Sequence, residues 1–101
     1  MNNLTISYDL YKQGQDYHAI IDTIKTFGSW ARTNKSVWYV KSGLSASQAV
    51  ERLKQVIDTN DSVYVVDSTN NEAAWFNLDP KVAAFLRQNW NAKSGLLAVN
   101  R

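Results

Sequence analysis

The stretch Trp30-Ala31-Arg32-Thr33-Asn34-Lys35-Ser36-Val37-Trp38-Tyr39-Val40-Lys41 decides how the rest of this chain is read. Its two ends, Trp30–Arg32 and Val37–Lys41, are rich in aromatic and β-branched residues, which favour strand. Thr33–Ser36 between them is turn chemistry, with short polar side chains that bond their own backbone. Read as one bent strand, the stretch gives the chain an order of β-α-β-α-β-β-α. Read as two arms of a hairpin, it gives β-α-β-β-α-β-β-α. The polar tip favours the hairpin.

Before the hairpin, Leu4, Ile6, Tyr8 and Leu10 alternate with Thr5, Ser7 and Asp9. A period of two marks a strand with one buried face. Tyr11–Gln15 contains Gly14 and reads as a loop. Asp16 is placed to cap a helix, and Tyr17, Ile20, Ile21, Ile24 and Phe27 follow helical spacing. Gly28 stands where a helix would end. The spacing predicts a helix over Asp16–Phe27.

After the hairpin, Ser42-Gly43 breaks the strand. Ser45-Ala46-Ser47-Gln48 has the capping-box pattern. Ala49, Val50, Leu53, Val56 and Ile57 supply the apolar stripe of a second helix. Asp58–Asp61 is a polar connection, and Val63–Val66 is a short apolar run suited to a central strand. Ser68–Glu72 reads as a turn. Ala73–Leu78 is a further strand, with Ala74, Phe76 and Leu78 on one face. Asp79-Pro80 puts a capping acid before a proline at the first helical position. Val82, Phe85, Leu86 and Trp90 are the expected buried stripe of that third helix. The tail Asn91–Arg101 carries one apolar stretch, Leu96–Val99, which either adds an edge strand or is mobile. The expectation is one α+β domain over residues 1–90: a ferredoxin-like βαββαβ core with an extra C-terminal strand and helix.

Composition sets the outer limits. The chain has 101 residues, 45% hydrophobic and 20% charged, the balance of one folded domain. It has no Cys, so disulfides and thiolate chemistry are excluded. The single His18 excludes a multi-histidine metal site within one protomer. It lies in a first helical turn and reads as a solvated residue. No apolar run reaches membrane-spanning length, and Met1–Asn3 does not begin a leader pattern. The expected location is cytoplasmic, with no membrane partner.

The net charge of +2 is small, but it is unevenly spread. Thr23–Val50 holds no acid and contains Lys25, Arg32, Lys35 and Lys41. Gln55–Pro80 holds no base and contains Asp58, Asp61, Asp67, Glu72 and Asp79. Such a dipole orients a protein on a polyanion or on its own copy. Trp30, Trp38 and Tyr39 sit among the basic residues. Aromatic and cationic side chains together stack bases and pair with phosphates. Arg32, Lys35, Lys41 and Trp38 are therefore the expected nucleic-acid contacts. Alternate aromatics on such strands also build a core and a dimer seam. Trp75 alternates out of phase with Ala74 and Phe76. It belongs to a second-face interface or lies under the third helix.

Several of these segments also resemble a known family. They are the strand ending Tyr8-Asp9-Leu10, the helix ending Phe27-Gly28, and the hairpin with Ser36-Val37-Trp38-Tyr39-Val40. The last is Asp61-Ser62-Val63-Tyr64-Val65-Val66 after a second amphipathic helix. Together they resemble the CRISPR-associated protein 2 superfamily, with its SinR-like and virulence-associated protein D branches, over roughly Leu4–Val66. The resemblance implies a ferredoxin-like protomer and a homodimer formed through its sheets. It also implies an acid at the end of the first strand, matched here by Asp9. In members that cleave nucleic acid, this Asp and its dimer mate are the proposed ligands of a divalent metal such as Mg2+. Asp67, ending another strand, is a candidate assistant. Members often carry a basic cluster soon after the Asp, where Tyr11–Gln15 offers only Lys12. Two functions follow as expectations. One is a non-catalytic factor, of the kind a phage or mobile element uses, that binds RNA, DNA or a host protein. The other is a weak metal-dependent endonuclease centred on Asp9.

Overall fold

The computed structural model describes residues 1–11 and 17–90. Their elements run β1 (Asn2–Asp9), α1 (His18–Lys25), β2 (Gly28–Asn34), β3 (Val37–Ser42), α2 (Ala46–Lys54), β4 (Ser62–Asp67), β5 (Glu72–Phe76) and α3 (Pro80–Asn89). The fold is α+β: three helices and a five-stranded antiparallel sheet of order β2-β3-β1-β4-β5. Trp30–Arg32 and Val37–Lys41 are indeed two arms of a hairpin. Both helical connections skip a strand: α1 carries the chain from β1 over β3 to β2, and α2 carries it from β3 over β1 to β4. The tail Asn91–Arg101 lies outside the described residues.

Alternation decides which side chains enter the core. Leu4, Ile6 and Tyr8 of β1, Trp38 and Val40 of β3, and Val63 and Val65 of β4 are buried on one sheet face. Ile20, Ile24 and Phe27, with Ala46, Ala49, Val50 and Leu53, close over them. The α2 start is fixed as its sequence predicts. Ser45 Oγ accepts from the Gln48 amide at 3.1 Å, and Gln48 Oε1 accepts from the Ser45 amide at 2.9 Å. Asp79 caps α3 by accepting from the Lys81 amide at 2.8 Å.

Helix α1 is shorter than its apolar spacing predicts. It starts at His18 after Tyr17, whose side chain makes no cap bond, and it ends at Lys25 with Thr26 as its C-cap. Asp16 lies outside the described residues. Tyr17 is 41% exposed and not part of the buried stripe. Gly28 does not end this helix but opens β2, at φ 154°. A Cβ there would run into the Lys41 carbonyl oxygen across the strand pair. Gly28→Ala is therefore expected to lower stability by roughly 1–3 kcal/mol from backbone strain, with the clash adding to it. A urea melt of the variant checks this, and an unchanged midpoint would contradict it.

The second sheet face carries Thr5 and Ser7, Tyr39 and Lys41, Tyr64 and Val66, and Trp75. Here α3 takes a place its sequence does not announce. Leu78, Val82 and Leu86 line a 310 Å³ groove with Ser7 and Tyr64. The Arg87 guanidinium lies 5.5 Å from the centre of the Trp75 ring, and Trp90 Nε1 donates to the Asn71 carbonyl at 3.0 Å. The helix thus lies along the β4–β5 side, and Trp75 is under it. The expected buried stripe does not form: Val82 is 50% and Phe85 64% exposed, and Ala83 is the buried residue of α3. The reason is geometric. The first face is already filled by α1 and α2, so α3 meets the second, half-polar face along one flank. Burial beneath it pushes the Tyr64 phenol above its usual pKa.

Candidate nucleic-acid interface

The expected site residues fall in three places. Trp38 is in the core, 2% exposed, and its Nε1 donates to the Tyr8 hydroxyl at 3.2 Å. Its indole supports the surface from beneath. Trp30, paired with Val40 across the strands, packs on it with ring centres 5.2 Å apart and stays 45% exposed. The Lys25 ammonium sits 4.8 Å over the Trp30 ring, and the Arg32 guanidinium 5.3 Å over Trp38. Cations at these distances from aromatic faces are held by the ring quadrupole. The result is a ladder, Lys25–Trp30–Trp38–Arg32, along the edge strand on the helix-covered side.

Arg32 is anchored twice more. Its Nε and Nη2 donate to the Lys35 carbonyl at 3.1 and 2.7 Å. A bulge supplies this geometry, because the β2–β3 register slips between Arg32 and Asn34. Thr33 Oγ1 closes it by donating to the Val37 carbonyl at 3.0 Å. The Tyr8 amide donates to the Ser36 carbonyl at 3.1 Å, which ties the hairpin tip to β1. Arg32 and Lys35, with Tyr17 and Ser36, line a cavity of about 460 Å³.

Lys41 is not part of this group. It follows buried Val40 on β3 and pairs with Asn3 and Ser29, so it projects from the second sheet face. The period of two that makes the strands legible also separates these cations. The sequence reading missed Lys25 and Tyr17. Their signal was weak, because only the packing of α1 alongside β2 brings them to the hairpin.

Asp9 ends β1 on the second face, exposed, opposite Ser62. With Ser7, Tyr8, Ser62, Tyr64 and Leu78 it lines a cavity of about 90 Å³. One carboxylate and a few hydroxyls do not make a divalent-cation cage within one chain. No group of three or more potential ligands is found among the described residues. Asp67 cannot join it. It pairs with Leu4, five residues along β1 from Asp9, roughly 17 Å away at the strand rise. Its buried carboxylate instead accepts from the Thr69 and Asn70 amides at 3.0 and 3.2 Å and shapes the β4–β5 turn. His18 is exposed in the first turn of α1.

Asp61, one of the acids of the base-free stretch Gln55–Pro80, has a structural task. Fully buried, it accepts from the Tyr11 and Asp58 amides, both at 2.8 Å. Among the described residues Asp9 holds no comparable network. Asp9→Asn is therefore expected to shift stability by no more than ~0.5 kcal/mol, as at ordinary surface sites. A thermal melt beside the wild type checks this.

No helix among the described residues is long and apolar enough to cross a membrane. Comparison with known proteins returns no match among family models, curated sequences or solved structures.

Proposed function

We propose that this chain is a non-catalytic, nucleic-acid-associated protein that works as a homodimer on a ferredoxin-like protomer of the CRISPR-associated protein 2 type. The strand order β2-β3-β1-β4, with both crossovers skipping a strand, supports that protomer. The observation that carries the binding reading is the ladder of Lys25, Trp30, Trp38 and Arg32 with Lys35 beside it. It lies in a stretch, Thr23–Val50, without a single acid. An exposed indole flanked by fixed cations offers a base a stacking surface and a phosphate its countercharge, which suits single strands.

The second sheet face supports the dimer. Helix α3 covers its β4–β5 side, while Thr5, Ala31 and Tyr39 lie beyond it. Exposed Phe85 and Val82 extend this surface with apolar area. A second copy placed there would bury both. Light scattering at micromolar concentration is expected to give about twice the chain mass of 11.4 kDa. A monomer mass would overturn the dimer.

A gel shift with short RNA and DNA, at two salt concentrations and with and without magnesium, tests the function. Binding that weakens steeply with salt and leaves the strand intact supports the reading. Magnesium-dependent cleavage that disappears in Asp9→Asn would replace it with the endonuclease reading, in which the two Asp9 residues of a dimer share the metal. No binding to either nucleic acid would leave a protein partner, such as a host factor, as the function.

A further inference from the structure

We propose that the cavity between Tyr17 and the hairpin tip binds a phosphorylated nucleotide, with the base on Tyr17 and the phosphate on Arg32, Lys35 and the Ser36 hydroxyl. This deepens the nucleic-acid reading above and rests on it. The cavity measures about 460 Å³, within the usual range for small-ligand sites. Among the described residues its lining combines one aromatic ring, two cations and one hydroxyl, and no acid. That set matches the two halves of a nucleotide: a flat π-surface and an anion.

Two of these groups, Tyr17 and Arg32, are held in place before any ligand arrives. Tyr17 stands 6.4 Å from Tyr8 with the rings tilted by 49°, so it is supported from the core side while 41% exposed. The Arg32 guanidinium is stacked on Trp38 and bonded through Nε and Nη2 to the Lys35 carbonyl. A guanidinium has five N–H donors, and these bonds use two of them. The remainder suit a phosphate, and fixing the fork beforehand reduces the entropy lost on binding. A bare anion site would not need Tyr17, and an apolar ligand would not need the cations.

Two sources carry this chemistry: a free nucleotide and the phosphorylated end of a strand. Calorimetric titration of the full chain separates them, using AMP, adenosine, inorganic phosphate, and one short oligonucleotide with and without a 5′-phosphate. AMP is expected to bind at least about tenfold more tightly than adenosine or phosphate, because neither alone engages both halves of the site. Tyr17→Ala is expected to lower AMP affinity about tenfold, the scale of one lost base stack. Lys35→Gln should weaken AMP while leaving adenosine unchanged, and a thermal melt of each variant reports folding. A preference for the 5′-phosphorylated oligonucleotide assigns the site to strand ends, whereas equal oligonucleotide binding with tight AMP assigns it to free nucleotides. Oligonucleotide binding without AMP binding overturns the pocket and leaves the strand reading standing. AMP binding without oligonucleotide binding keeps the pocket and removes the strand reading. Equal affinity for AMP and inorganic phosphate overturns the nucleotide assignment.

Discussion

Trp38→Ala is expected to destabilise the fold by about 3–5 kcal/mol, the range for emptying a buried aromatic site. The ring is 2% exposed and lies among Leu4, Ile6, Val40 and the other core residues. Its removal opens a cavity, takes the indole donor from the Tyr8 hydroxyl, and withdraws the support beneath Trp30 and Arg32. A domain of this size has about 5–15 kcal/mol of stability in all. The melting temperature should fall by about 15–30 °C. Trp30→Ala makes the contrast. That ring is half-exposed, so its loss should cost about 1 kcal/mol while reducing nucleic-acid binding. Calorimetric melts of the two variants separate the roles. Equal losses of stability would mean that the ladder is structural throughout.

Reversing Arg32 and Lys35 together to Glu is expected to lower affinity for single strands roughly 100-fold at low salt, and the salt slope should shrink by about 1.4, from two phosphate contacts of about 0.7 each. Both residues sit at the hairpin tip, and no acid falls between Thr23 and Val50 to offset them. Lys41→Glu is expected to change affinity less than about threefold, because Lys41 projects from the opposite face. Salt-dependent titrations of the double and the single variant decide. A loss as large for Lys41→Glu as for the pair would place the contact surface on the second sheet face.

The residues explain which parts of this fold were legible. Strong local signals survived. The alternation of Leu4, Ile6 and Tyr8, the Ser45–Gln48 capping box and the Asp79-Pro80 start each depend on neighbours within a few positions. The hairpin tip was legible for the same reason. The buried stripe of helix α3 was misread because an apolar stripe states what a helix can bury and not how much surface is offered to it. Its partner face had been set by the packing of α1 and α2 on the other side. Gly28 was misread because a glycine after a helical run fits two tasks. Only the close approach of the Lys41 carbonyl assigns it to the strand.

The candidate site divides along the same line. Its ingredients, basic residues among aromatics in an acid-free stretch, were determined by the sequence alone. So was the placement of Asp9 on the face opposite the core, through a period of two. Tertiary structure decided which ingredients meet. It buried Trp38 and exposed Trp30, and brought Lys25 over the Trp30 ring and Tyr17 beside Arg32. It also put Lys41 on the other face and Asp67 at the other end of β1 from Asp9. The physical reason is range. Alternation and capping act between residues a few positions apart, whereas a binding surface is made where distant segments pack. Here that contact is between α1 and the β2–β3 edge, and no local pattern encodes it.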